Sequence, residues 1–192
     1  VSDRTHVVQL FDTIESRGDS LFVFVRDGLL AGDAVVVVAT AVHRELLRQL
    51  CRERGVEIDT ALAEGSLTLL DAHESLARIM SIELPDWVLF NTYVGALLRR
   101  LGANSRRLRI YGEMVDVLAR AGEYHAARVL EEYWNRLQQR ESFALFCGYS
   151  SEHFGNARER GTLRHICRLH TAVRSDPRDI LGDFLLRPPS AC

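Results

Sequence analysis

The chain has 192 residues, 47% of them hydrophobic and 26% charged, with a net charge of −2. That balance supports a folded domain with its own core and excludes a disordered chain. It also excludes a global field favouring nucleic acid or an anionic membrane, so direct partners of either kind are not expected. No apolar run approaches the roughly 20 residues needed to span a bilayer. The start, Val1–His6, has neither a basic segment nor a cleavable apolar stretch. A cytoplasmic address is therefore the expectation.

Four cysteines, Cys51, Cys147, Cys167 and Cys192, are widely spaced and form no CxxC pair. Neither a zinc ribbon nor a disulfide framework is indicated, and reduced thiols are expected. Lysine is absent, so all 24 basic residues are arginine. A Schiff-base lysine is impossible, and so is the lysine of a Walker A loop, whose ammonium reaches the β and γ phosphates. Arginine has a different shape and is no simple substitute.

Short apolar runs alternate with segments of helical period, which predicts an α/β domain with a mostly parallel sheet between helical layers. The first strand is expected at His6–Phe11, followed by the polar turn Asp12–Ser20 and a helix over Asp19–Ala31, with Asp19 or Ser20 as its N-cap. Four consecutive valines, Val35–Val38, suit a strand Ala34–Thr40 buried on both faces. A helix over Val42–Arg54, a strand at Ser66–Leu70 and helices at His73–Ile82 and Asp86–Leu101 come next. A strand at Leu108–Gly112 then leads to helices at Glu113–Arg120 and Tyr124–Gln139. The last expected elements are the strand Phe143–Tyr149 and a helix over Gly161–Val173. Gly32, Gly55, Gly102 and Gly122 stand just past helical segments, where a left-handed C-cap favours glycine. Residues 1–174 form the expected domain, and residues 175–192, with Arg187-Pro188-Pro189, a tail or linker.

In open α/β sheets, ligands gather at the carboxyl ends of the strands. That rule brings Gln9, Phe11 and Asp12 from strand one to the same rim as Thr40, Asp71, Glu113 and Tyr149. The Asp12–Ser20 turn carries one glycine and three carboxylates, Asp12, Glu15 and Asp19, which oppose phosphate binding. Glu131 and Asn135 share a face of their helix, with Trp134 beside them.

Several blocks together resemble the MEDS domain, the sensory domain named from methanogen and methylotroph proteins and the DcmR regulator. They are His6-Val-Val-Gln9-Leu-Phe11, Gly28–Thr40, Leu70-Asp71-Ala72, Tyr111–Val115, Leu130–Asn135 and Leu145–Tyr149. The resemblance implies a fold related to the RecA/KaiC ATPases with the phosphate loop lost. It also implies a sensory role beside histidine-kinase, PAS or DNA-binding modules. Glu113 then stands where a Walker B strand delivers its acid.

The expected function is a non-catalytic sensory or regulatory module. Its ligand-binding rim is made of Gln9, Phe11, Asp12, Glu113, Trp134 and Tyr149, of which Glu113, Trp134 and Tyr149 are expected to line one pocket. The expected partner is a small organic ligand or a signalling protein such as a histidine kinase, sigma-factor regulator or transcription factor, with homo-oligomer formation an open option. The alternatives are a nucleotide-binding enzyme with a relic ATPase site, using Glu113 as base, and a purely structural interaction module. No cofactor and no metal are expected. His165, Cys167 and His170 superficially suggest ligands, but residues two apart face different sides of a helix. The basic run Arg106-Arg107-Leu-Arg109 reads as a solvated or ion-paired patch.

Overall fold

The computed structural model describes residues 4–103, 106–154 and 157–175. In chain order these give β1 His6–Phe11, α1 Ile14–Leu30, β2 Ala34–Ala39, α2 Ala41–Glu53, α3 Ile58–Ala63, β3 Leu67–Asp71 and α4 Ala72–Ile79. A short antiparallel hairpin follows, β4 Met80–Ser81 with β5 Leu84–Pro85. Next come α5 Trp87–Phe90, a π-helical turn Asn91–Gly95, α6 Ala96–Gly102, β6 Leu108–Gly112 and α7 Met114–Arg120. The chain continues through α8 Tyr124–Gln138, β7 Phe143–Ser150, a 3₁₀ turn Ser151–Phe154, α9 Ala157–Leu169 and β8 Ala172–Ser175.

Six strands form one sheet in the order β3-β2-β6-β7-β1-β8, and every pairing within it is parallel. Side chains alternate across it because a strand has a two-residue period. Val35, Val37, Ala39, Tyr111, Phe146 and Phe11 point to the layer of α1, α2 and α3. Val36, Val38, Ile110, Leu145, Cys147, Tyr149, Val8 and Leu10 point to the layer of the later helices. The valine run is buried on both faces, as its composition requires. Two cores thus lie back to back across one sheet.

The differences from the expected elements have local causes. Helix α1 begins five residues earlier than Asp19, because the Thr13 hydroxyl caps it by accepting from Ser16 N at 3.1 Å. Asp19 and Ser20 are therefore inside the helix, not its cap. The expected helix Asp86–Leu101 is continuous but carries the π turn, capped by Asp86 accepting from Leu89 N. Gly32, Gly55 and Gly122 have positive φ after their helices, whereas Gly102 is the last residue of α6 and does not. The last helix ends at Leu169, and Ala172–Ser175 leaves it to pair with β1 as an edge strand. Beyond Ser175 the expected tail lies outside the described residues.

Candidate functional site

Two buried polar clusters stand on opposite faces of the sheet. The first is at the carboxyl end, between β2 and β6. From β2 the chain proceeds outward to β3 with α2 and α3 on one face. From β6 it proceeds the other way to β7, through α7 and α8 on the other face. Connections that part in this manner leave a crevice between the strand ends. Glu113 fills it. Its backbone N–H donates to Val38 O, and its carboxylate accepts from Thr40 N at 2.9 Å and from His43 Nδ1 at 2.8 Å.

The other Glu113 oxygen accepts from the Tyr111 hydroxyl at 2.9 Å and lies 3.8 Å from Arg17 Nη1. Arg17 in turn donates to Asp116 at 2.7 Å, and its guanidinium lies over the Phe11 ring. Asp116 also accepts from Ser150 N at 2.8 Å, so the network ties together α1, β2, β6, α7 and β7. Burial alone would raise the Glu113 carboxyl, but the His43 hydrogen bond and the Arg17 charge prevail and hold it below the usual carboxylate range. Burial and the adjacent Glu113 push the Tyr111 hydroxyl up, so it remains a donor. Gly148 makes this geometry possible. A Cβ there would stand 2.5 Å from the Tyr111 hydroxyl oxygen and 3.1 Å from Cζ.

The second cluster lies under β1 and β7 on the face of α8 and α9. His6 is paired in register with Leu145, so Cys147 is its diagonal neighbour on the same face. Helix α8 directs a polar stripe at i, i+4 and i+7 onto these strands, from Glu131, Asn135 and Gln138. Gln138 donates to Thr5 O and Phe143 O at 3.0 Å each. Asn135 donates to Leu169 O at 3.0 Å and faces His6 Nδ1 with its carbonyl oxygen, also at 3.0 Å. The Tyr149 hydroxyl donates to Glu131 Oε1. His170, in the turn between α9 and β8, sets its ring 3.8 Å from that of His6, tilted by 40°. Its Nδ1 donates to Ile166 O at 2.7 Å. Burial drives the His170 imidazolium down, beyond what Glu131 restores, and burial pushes the Cys147 thiol up.

The six residues expected at the rim are divided between these places. Glu113 is in the rim network, Phe11 lies beneath Arg17, and Asp12 accepts from Ser151 at the end of β7. Gln9 lies within β1 on the α1 face, 3.5 Å from Ser20 Oγ. Tyr149 belongs to the second cluster. Trp134 is in the core of that same face, edge-on to Phe90, and borders an apolar void with Val94, Leu98 and Ile110. A single pocket shared by Glu113, Tyr149 and Trp134 is therefore not formed, because residues 111 and 149 have opposite parity across the sheet.

Sequence reasoning missed Arg17, His43 and Asp116, and it missed His6 and His170 as companions of Glu131. The spacing Glu131, Asn135, Gln138 amid Ala127, Leu130, Trp134 and Leu137 was the available signal, since polar groups on an apolar stripe demand partners. Of the superficial trio, His165 approaches Glu132 at 3.9 Å, whereas His170 turns inward to Glu131. Arg107 and Arg109 of the basic run pair with Asp33.

Among the described residues, no helix is long and apolar enough to cross a membrane. No curated protein matches the chain. The family model for the methanogen/methylotroph, DcmR sensory domain matches residues 5–171, across both clusters and five of the six strands of the large sheet, ending just before β8. The chain belongs to the MEDS sensory-domain family.

Proposed function

We propose that this sensory domain is a non-catalytic relay that takes its input at the carboxyl end of the sheet, in the crevice between β2 and β6. The observation that carries the reading is the Glu113 carboxylate, which closes the crevice by bonding Thr40, His43 and Tyr111 beside Arg17. A small polar organic ligand, or a polar group of a signalling partner, that competes for Glu113 or Arg17 would release the end of β2 from β6. The starts of α2 and α7 would then shift, converting occupancy into a change of surface.

The same network argues against the ATPase alternative. No lysine is available for a phosphate clamp, and the first-helix cation, Arg17, is already engaged by Asp116. A cytoplasmic relay acting on a histidine kinase, sigma-factor regulator or transcription factor fits the family's sensory character. Native mass spectrometry of the freshly isolated full chain tests the reading. A retained small molecule that Glu113→Gln loses supports it. Magnesium-dependent ATP turnover above about 1 per second, abolished by Glu113→Gln, would replace it with the enzyme.

A further inference from the structure

The second cluster contains more acceptors than donors. Asn135 is oriented by donating to Leu169 O, so its carbonyl oxygen accepts the His6 Nδ1 proton and leaves His6 Nε2 as an acceptor, facing the Cys147 thiol at 3.4 Å. The Ile166 carbonyl does the same for His170, and His170 Nε2 has no hydrogen-bond partner. With Tyr149 on Oε1, Glu131 Oε2 also has none. These three side chains are wholly buried, and Cys147 is 1% exposed. Lone pairs converging in a buried space repel one another unless a cation lies between them.

The spacing suits such a cation. His6 Nε2 is 3.3 Å from Glu131 Oε2 and 3.4 Å from Cys147 Sγ, and His170 Nε2 is 3.7 Å from Glu131 Oε1. One ligand atom from each of the four residues fits within 4.8 Å of all the others. Ligands held about 2.0–2.3 Å from a tetrahedral Zn2+ stand roughly 3.3–3.8 Å apart. Only a modest contraction separates the two sets.

We propose that His6, Glu131, Cys147 and His170 form a binding site for one divalent transition-metal ion of borderline softness, with Zn2+ the best fit. The donor set excludes Mg2+ and Ca2+, which require oxygen ligands. Binding exchanges the Cys147 S–H bond for a metal–sulfur bond and releases that proton to water. The thiolate and the carboxylate then neutralise the ion, as burial demands. Asn135 and the Ile166 carbonyl act as positioning groups that hold each imidazole with Nε2 inward. The ion would join β1, β7, α8 and the α9–β8 turn, four pieces far apart in sequence. This site is independent of the rim, on the other face of the sheet.

The test is to unfold the full chain under reducing, chelating conditions and refold it with Co2+ as probe. Refolding gives the ion access to a closed site. One Co2+ per chain is expected, with the visible bands of tetrahedral cobalt and a near-ultraviolet thiolate-to-cobalt charge-transfer band. Zn2+ should abolish both. Cys147→Ser should remove the charge-transfer band and Cys167→Ser should retain it, while Asn135→Ala should weaken binding by about 10–100-fold. Glu113→Gln should leave the cobalt spectrum unchanged, so failure here and failure at the rim are read separately. Native-like refolded protein that gives no tetrahedral cobalt spectrum would overturn the proposal. So would a charge-transfer band that survives Cys147→Ser. If that variant does not refold, the wild-type titration alone decides.

Discussion

Glu113 accepts a hydrogen bond from the Thr40 backbone N–H at 2.9 Å, so a side chain joins the ends of β2 and β6 where their ladder stops. That ladder ends at Val38 and Gly112, and the next groups along would otherwise be unpaired. The contact also explains why a charged residue with no exposure is tolerated there. Its oxygens are occupied by Thr40, His43 and Tyr111, with the Arg17 charge nearby.

Removing the cation should harm this network more than removing one anion. Arg17→Met leaves Glu113 and Asp116 buried without their shared positive charge, a loss of about 3–5 kcal/mol. Glu113→Gln keeps the shape and leaves Arg17 paired with Asp116, so about 1–3 kcal/mol is expected. Urea denaturation midpoints of the two variants check the order. Equal losses would mean that Arg17 is held chiefly by Phe11 and not by charge.

Acid should act through the same carboxylate. The folded Glu113 titrates below its ordinary value, so on acidification the unfolded chain takes up a proton first. Its contribution is complete above about pH 4.3, the unfolded glutamate value, and is lost as pH falls towards the folded pKa. Asp71 has the same sign, because the backbone N–H groups of Glu74 and His73 and the Arg44 charge hold it down. Stability measured from pH 7 to pH 3 should therefore fall less steeply in Glu113→Gln than in the wild type. Parallel curves would remove Glu113 from the acid response.

Gly148→Ala should push the Tyr111 ring off Glu113. The new methyl would stand 2.5 Å from the hydroxyl and 3.3 Å from Phe11, and neither aromatic side chain has free space in this core. Overpacking of this kind costs about 1–3 kcal/mol. The double variant with Tyr111→Phe should recover part of the loss, since the clashing oxygen is then absent. Additive losses in thermal unfolding would count against the contact.

Trp134→Ala should be a stability change alone. The indole is 1% exposed and packs edge-on against Phe90 and Phe143, remote from the rim network. A loss of about 3–5 kcal/mol is expected from the transfer and cavity terms. Rim binding measured well below the lowered melting temperature should be unchanged. Weakened binding under those conditions would restore Trp134 to the site.

Local sequence alone determined the layered α/β class, the burial of the valine strand on both faces, and Glu113 at a strand end. Apolar periodicity and glycine placement are short-range signals, and they survive whatever the tertiary arrangement. The caps and edges were less legible. Thr13 took the cap from Asp19 because capping depends on where β1 releases the chain. Ala172–Ser175 became a strand because β1 offered it an open edge. The strand order was decided only by the fold, and with it the parity that separates Tyr111 and Glu113 from Tyr149 and Glu131. Seen along the chain, His6, Cys147 and His170 are unrelated. Parallel pairing of β1 with both β7 and β8 brings them within reach of Glu131, since a parallel sheet joins residues more than a hundred positions apart.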